Sequence, residues 1–157
     1  MSADLTDFAA GIDLLRQMDL TAGLSGPELS ELAKIARHTD LPPASVVFRE
    51  GQNQSVIYWV VDGAITLETT GARLKPIVLL TVGPGEVLGW SALVGDSRMT
   101  ARASTVTNTR LIGFPADDLK KLCDKNHELG YRVMNSIAEN LSRRFHATRQ
   151  FLVGAIE

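Results

Sequence analysis

The chain has 157 residues, of which 45% are hydrophobic and 22% charged, as expected for one ordinary globular domain with a real core. Its net charge of −2 excludes the bulk positive charge that nucleic-acid or anionic-membrane binding would use. No apolar run approaches the roughly 20 residues of a membrane span, and no signal sequence opens the chain, so we expect a cytoplasmic protein.

Residues 1–43 are predicted to form helices. The first is indicated by apolar residues at helical spacing, Phe8, Ile12, Leu15 and Met18. Ser25 to Glu28 reads Ser-Gly-Pro-Glu, a capping box with proline in the first turn, and it predicts the start of a second helix. The prolines at positions 42 and 43 end the helical region.

Residues 44–114 have the pattern of a β-sandwich or barrel, because short β-rich runs are separated by turns about every 8 to 12 residues. Asp62-Gly63 is a hairpin signal, and 56–61 is apolar throughout, which predicts a strand buried on both faces. The predicted strands are 46–48, 56–61, 65–70, 77–82, 101–105 and 110–114.

Residues 115–153 are predicted to be helical, with one helix over 117–125 and a longer one over 127–152. The long helix carries one apolar stripe, made of Leu129, Val133, Ile137, Leu141, Phe145 and Leu152. A helix of this length spans roughly 37 Å, more than one face of a small barrel needs. We therefore expect a homodimer through this helix; the alternative is a helix folded back on its own sheet. Cys123 lies in an apolar helical run and is expected to be a buried, inert thiol.

The segment 83–104 is rich in glycine and has the features of an anion cradle. Gly89 lets the backbone approach a ligand closely, and the N–H groups that follow it would favour a negative group at a helix N-terminus. Arg98 would add a charge-assisted bond and Thr100 a hydroxyl. The candidate binding residues in this segment are Gly89, Trp90, Ser91, Ala92, Arg98, Thr100 and Ala101.

This segment resembles the phosphate-binding cassette of the cyclic nucleotide-binding domains. The residues that match the cassette in type and order are Leu88, Gly89, Ala92, Leu93, Thr100 and Ala101. Trp90 stands where the family has a glutamate that binds the ribose 2′-hydroxyl. Met99 stands where the family has the arginine that pairs with the cyclic phosphate, and Arg98 comes one residue earlier. The resemblance implies cyclic AMP or cyclic GMP as the ligand, with no other cofactor and no metal.

Further motifs extend the resemblance over nearly the whole chain. They are Gly23-Leu24-Ser25, Arg49-Glu50-Gly51, Tyr58 to Gly63, and Gly83-Pro84-Gly85. The resemblance implies an α+β fold in a single domain over 1–157. An antiparallel β-roll (a double-stranded jelly-roll barrel) would be flanked by N-terminal helices and a long C-terminal helix. It also places Thr148 where bacterial regulators of the family have a helix threonine that faces the adenine.

Enzymatic activity is not expected. A metal-dependent β-barrel enzyme needs histidines clustered on strands, whereas His38, His127 and His146 fall in predicted helices or loops. Ser91 follows Gly-Trp, but the surrounding sequence is not the Gly-x-Ser-x-Gly of a nucleophile turn.

Two functional hypotheses follow from the sequence. In the first, the chain is a regulatory sensor whose ligand at the cassette is coupled to the C-terminal helix. In the second, the cassette is degenerate, and the chain is a dimeric interaction module that binds a protein partner and no nucleotide. Nucleic-acid binding through Arg143, Arg144 and Arg149 is disfavoured, since these residues are expected on a solvated helix face. The chain stops five residues after Leu152, so we expect no helix-turn-helix module and no DNA binding by this chain.

Overall fold

The computed structural model describes residues 8–156, with side chains from residue 11 onward. The described helices are α1 Phe8–Arg16, α2 Gly26–Ile35, α3 Ser91–Val94, α4 Ala116–Lys125 and α5 His127–Ile156, with a 3-10 turn at Asp19–Thr21. The strands are β1 Arg37–Leu41, β2 Val46–Phe48, β3 Val56–Asp62, β4 Ile65–Thr70, β5 Pro76–Val82, β6 Val87–Leu88, β7 Arg102–Thr105 and β8 Thr109–Pro115. Residues 1–7, part of the predicted helical region, lie outside the described residues.

Two four-stranded antiparallel sheets face each other in a jelly roll. Their strand orders are β1-β8-β3-β6 and β2-β7-β4-β5. The helices pack on the outer face of the first sheet, where Trp59 meets Phe114 edge-on at 5.7 Å and donates to Ser136 Oγ of α5 at 3.1 Å. A second apolar core fills the space between the sheets. The predicted α+β β-roll with flanking helices is confirmed.

Local signals in the sequence set several of these elements. Ser25 caps α2 as predicted, because its Oγ accepts the N–H of Glu28 at 3.3 Å. Gly63 forms the hairpin between β3 and β4 at φ +100°, where any Cβ would lie 2.5 Å from the carbonyl oxygen of Asn108. The predicted apolar strand 56–61 is mostly buried, as its pattern indicates.

The predicted boundary between helices and β-roll at residue 43 is wrong. Helix α2 ends at Ile35, and β1 then pairs along β8 in the register Arg37↔Gly113 to Leu41↔Thr109. The sequence of β1, Arg-His-Thr-Asp-Leu, has no apolar alternation, so only its pairing with β8 makes it a strand. The β-roll therefore begins at residue 37 and not at residue 44.

The predicted apolar stripe of α5 is buried in its first part and exposed in its last part. Leu129, Val133 and Ile137 are buried against the domain, whereas Phe145 and Leu152 are 68% and 56% exposed. The helix runs 30 residues to Ile156, four residues past its predicted end.

Within residues 8–156, none of the helices has both the length and the hydrophobicity that crossing a membrane requires.

Candidate functional site

The predicted anion cradle forms a compact turn between β6 and β7. Gly89 follows β6 at φ +76°, and a Cβ there would lie 3.0 Å from the carbonyl oxygen of Val56 on β3. Glycine is thus required both by the left-handed conformation and by the neighbouring strand. Trp90 then leads directly into α3, the short helix that the sequence predicts.

A small cavity of about 40 Å³ lies behind this turn. Five of the predicted binding residues line it: Gly89, Trp90, Ser91, Thr100 and Ala101. Its apolar wall consists of Phe48, Leu67, Leu88 and Met99. The structure thus brings most of the candidate residues together around one small cavity.

Three candidate residues do not line the cavity. Arg98 is exposed, and its backbone N–H is bonded to Asp96 Oδ1 at 3.1 Å. Its neighbour Met99 is 4% exposed and is part of the core between the sheets, because successive side chains of an extended segment point to opposite sides. Ala92 is half-buried within α3, and Thr148 is exposed on α5.

The cavity is also lined by Arg144, a residue predicted to lie on a solvated helix face. Arg144 extends from α5 and is 7% exposed, with its guanidinium carbon 4.5 Å from the centre of the Trp90 ring. Its Nη2 donates to the carbonyl oxygen of Val87. Its Nε and Nη1 are buried and have no hydrogen-bond partner among the described residues. The prediction that Arg144 lies on a solvated helix face is therefore wrong.

Burial also changes the chemistry of Arg144. Desolvation lowers its pKa to about 10, while Glu86 acts to raise that pKa and Arg143 to lower it. The guanidinium is therefore still charged at neutral pH. A buried cation with unpaired N–H groups is costly, so this site favours an anion.

Comparisons with known proteins show the family and the fold of this chain. A model of the cyclic nucleotide-binding domain matches residues 38–126. The chain belongs to the cyclic nucleotide-binding domain family. In that family the chain resembles a CRP-like cAMP-activated global transcriptional regulator of Mycobacterium tuberculosis, 21% identical over 131 residues, which are 83% of this chain and 58% of the relative.

Other relatives and solved structures give the same family or fold. A cyclic nucleotide-gated potassium channel of Mesorhizobium japonicum is 26% identical over 78% of this chain and 33% of the channel. The chain thus spans less than two thirds of these curated relatives. A cyclic nucleotide-binding domain from Methylobacillus flagellatus superposes with a TM-score of 0.77 at 16% identity, covering 94% of this chain and 83% of that one. Thermus thermophilus catabolite activator protein gives 0.67 at 24% identity, covering 85% and 61%.

In this cyclic nucleotide-binding domain the buried cation Arg144 lies on α5, and Met99, the residue predicted at the cassette arginine position, is buried in the core. A signal for this was present in the sequence. The residues of α5 that the structure buries are Leu129, Val133, Ile137, Asn140 and Arg144, which recur every three or four positions. The buried stripe thus continues through two polar residues, which a pattern of apolar residues alone does not include.

Proposed function

We propose that this chain is a ligand-sensing regulatory domain, which binds a cyclic nucleotide at the cassette and couples occupancy to the position of α5. The observation that carries the proposal is that Arg144 of α5 lines the same cavity as Gly89, Ser91 and Thr100. A ligand that enters this cavity must interact with, or displace, a side chain of the helix. Ligand binding and helix position are then linked as one equilibrium.

The class of ligand follows from the groups that line the cavity. Arg144 provides a positive charge, and Ser91 and Thr100 provide hydroxyls that can donate to a phosphate oxygen. The Mycobacterium tuberculosis relative is described as cAMP-activated, so cyclic AMP is the first nucleotide to test, with cyclic GMP beside it.

Isothermal titration of the purified chain with cyclic AMP, cyclic GMP and cyclic di-GMP tests this proposal. We expect saturable binding of at least one nucleotide to the wild-type chain. Ala101→Leu, which fills the cavity, should abolish binding, whereas Ala138→Leu on the exposed face of α5 should retain it. Circular dichroism verifies that both variants fold. Heats equal to dilution for all three nucleotides with the wild-type chain would refute the proposal.

A second candidate function is a dimeric interaction module that binds a protein partner and no nucleotide. The size of the cavity favours it, because about 40 Å³ is far below the roughly 300–1,000 Å³ of typical ligand pockets. Exposed apolar residues on the C-terminal half of α5 would form the interface with a second copy. Null titrations together with a dimer in sedimentation experiments would select this function.

A further inference from the structure

We propose that Arg144 of α5 is the residue that pairs with the phosphate of the ligand, and that in the ligand-free chain the same guanidinium holds α5 closed over the cassette. Binding would then replace the contacts by which the guanidinium holds α5 with an ion pair to the phosphate. This inference rests on the proposed function, whose charge partner and regulation it names.

Arg144 has hydrogen-bonding capacity that the described residues do not meet. The guanidinium has five N–H donors, and those of Nε and Nη1 are buried without a partner among the described residues. Arg144 as a whole residue is 7% exposed. A phosphate oxygen beside the guanidinium would accept from buried donors that have no acceptor at present. The planar guanidinium also matches the geometry of phosphate well.

Charge around the cavity is confined to one residue. Of the described residues that line it, Arg144 alone is charged. The cassette provides no alternative cation, because Met99 is apolar and Arg98 is exposed outside the cavity. A ligand anion at this site must therefore pair with a residue of α5.

The cavity is small. A water molecule needs about 10–15 Å³ of such space, so a cavity of about 40 Å³ holds a few waters or one small oxyanion. The sugar and base of a nucleotide exceed this volume. A nucleotide whose phosphate enters the cavity would therefore displace the Arg144 side chain that lines it.

The present contacts of Arg144 explain how this movement would be transmitted. The guanidinium lies over Trp90 and donates to the carbonyl oxygen of Val87, so it joins α5 to the strand that leads into the cassette. A phosphate that competes for the guanidinium weakens both contacts. The part of α5 beyond Arg144, residues 145–156, would then be released.

The experiment compares Arg144→Met, which removes the charge but keeps the apolar stem, with Arg144→Lys, which keeps the charge without the fork. Arg149→Met on the exposed face of α5 is the matched control. Inorganic phosphate and cyclic AMP are the probes. Affinity is measured by titration, and the amides of 140–156 are followed by hydrogen exchange with and without probe.

We expect Arg144→Met to weaken binding of both probes at least about tenfold, with partial recovery in Arg144→Lys and no change in Arg149→Met. Without probe, Arg144→Met should exchange faster over 140–156 than the control. Cyclic AMP should accelerate the same amides in the wild-type chain.

The outcomes separate this inference from the proposed function. If cyclic AMP binds the wild-type chain and Arg144→Met equally well, or binds the variant more tightly, the proposed function stands and Arg144 is not the phosphate partner. If phosphate binds in an Arg144-dependent way and no cyclic nucleotide binds, the ion pair stands and the nucleotide proposal fails. If the wild-type chain binds neither phosphate nor cyclic AMP, cyclic GMP or cyclic di-GMP, both are overturned.

Discussion

The backbone N–H of Val87 donates to Oδ1 of Asn140 at 3.0 Å, which ties the strand before the cassette to helix α5. The carbonyl of the same residue accepts from Arg144, one helical turn further on. Asn140 is itself fixed, because its Nδ2 donates to the carbonyl oxygen of Ser136 at 2.8 Å. Both backbone groups of Val87 are thus bonded by side chains of one helix, and this clamp sets where α5 lies relative to the cassette.

Removing the Asn140 half of the clamp should destabilise the fold. Asn140 is 2% exposed, so Asn140→Ala leaves the N–H of Val87 buried without a partner. We expect a loss of about 1–3 kcal/mol in the free energy of unfolding, measured by urea denaturation. Asn135→Ala, on the exposed side of the same helix, should cost less than about 0.5 kcal/mol. Equal effects of the two variants would contradict the clamp.

Two glycines have similar φ angles but different surroundings. Their alanine variants therefore distinguish the cost of the left-handed conformation from the cost of a close contact. Gly51 has φ +80° with open space around a Cβ, whereas Gly89 has φ +76° and the carbonyl oxygen of Val56 at 3.0 Å. Gly51→Ala should cost about 1–2 kcal/mol from the left-handed conformation alone. Gly89→Ala should cost more, because the β3 backbone must also shift. The test is urea unfolding of both variants, and an equal cost would show that the contact at Gly89 is unimportant.

The exposed C-terminal half of α5 should mediate self-association. Phe145 is 68% exposed, and Leu141 and Leu152 are exposed near it on the same helix. A glutamate at position 145 would place a charge in an apolar interface, so Phe145→Glu should shift the chain from dimer to monomer in sedimentation equilibrium. Gln150→Glu adds the same charge on another exposed face and should leave the dimer intact. A wild-type chain that stays monomeric at every concentration would refute this interface.

Cys123 should be unreactive in the folded chain. It is 8% exposed, and burial together with the nearby Asp124 raises the pKa of its thiol to about 11. We expect iodoacetamide to react far more slowly with the native chain than with the chain in urea, because the thiolate is the nucleophile. Fast reaction in the native chain would contradict this burial.

The same pKa shift makes stability depend on pH. The folded-state pKa of Cys123 lies above the unfolded value of about 8.5, so the folded chain holds its proton more tightly. The contribution is fully present below the unfolded value and is lost as the pH rises toward 11. Cys123→Ala should flatten the alkaline decline of the free energy of unfolding, and an unchanged decline would exclude Cys123 as its cause.

The binding site shows where prediction from the sequence stops. Gly89 and the turn into α3 were predictable, because a left-handed glycine before a short helix is a local requirement of the chain. The directions in which Arg98 and Met99 point could not be predicted, because they depend on which of the two side chains packs between the sheets. The helical spacing from Leu129 to Arg144 could have placed Arg144 on the buried stripe of α5. Nothing local shows that this stripe lies over Trp90, which is more than fifty positions earlier.

Local periodicity and motifs in a fixed order are read directly from the sequence. They predicted the order of the elements, the caps and hairpin glycines, the buried strand 56–61 and the family. Features that depend on distant partners appeared only in the tertiary structure. Pairing with β8 made 37–41 a strand, and packing of α5 against β6 buried Asn140 and Arg144. These contacts join residues far apart in the chain, so their free energy exists only after the sheets and the helix have assembled.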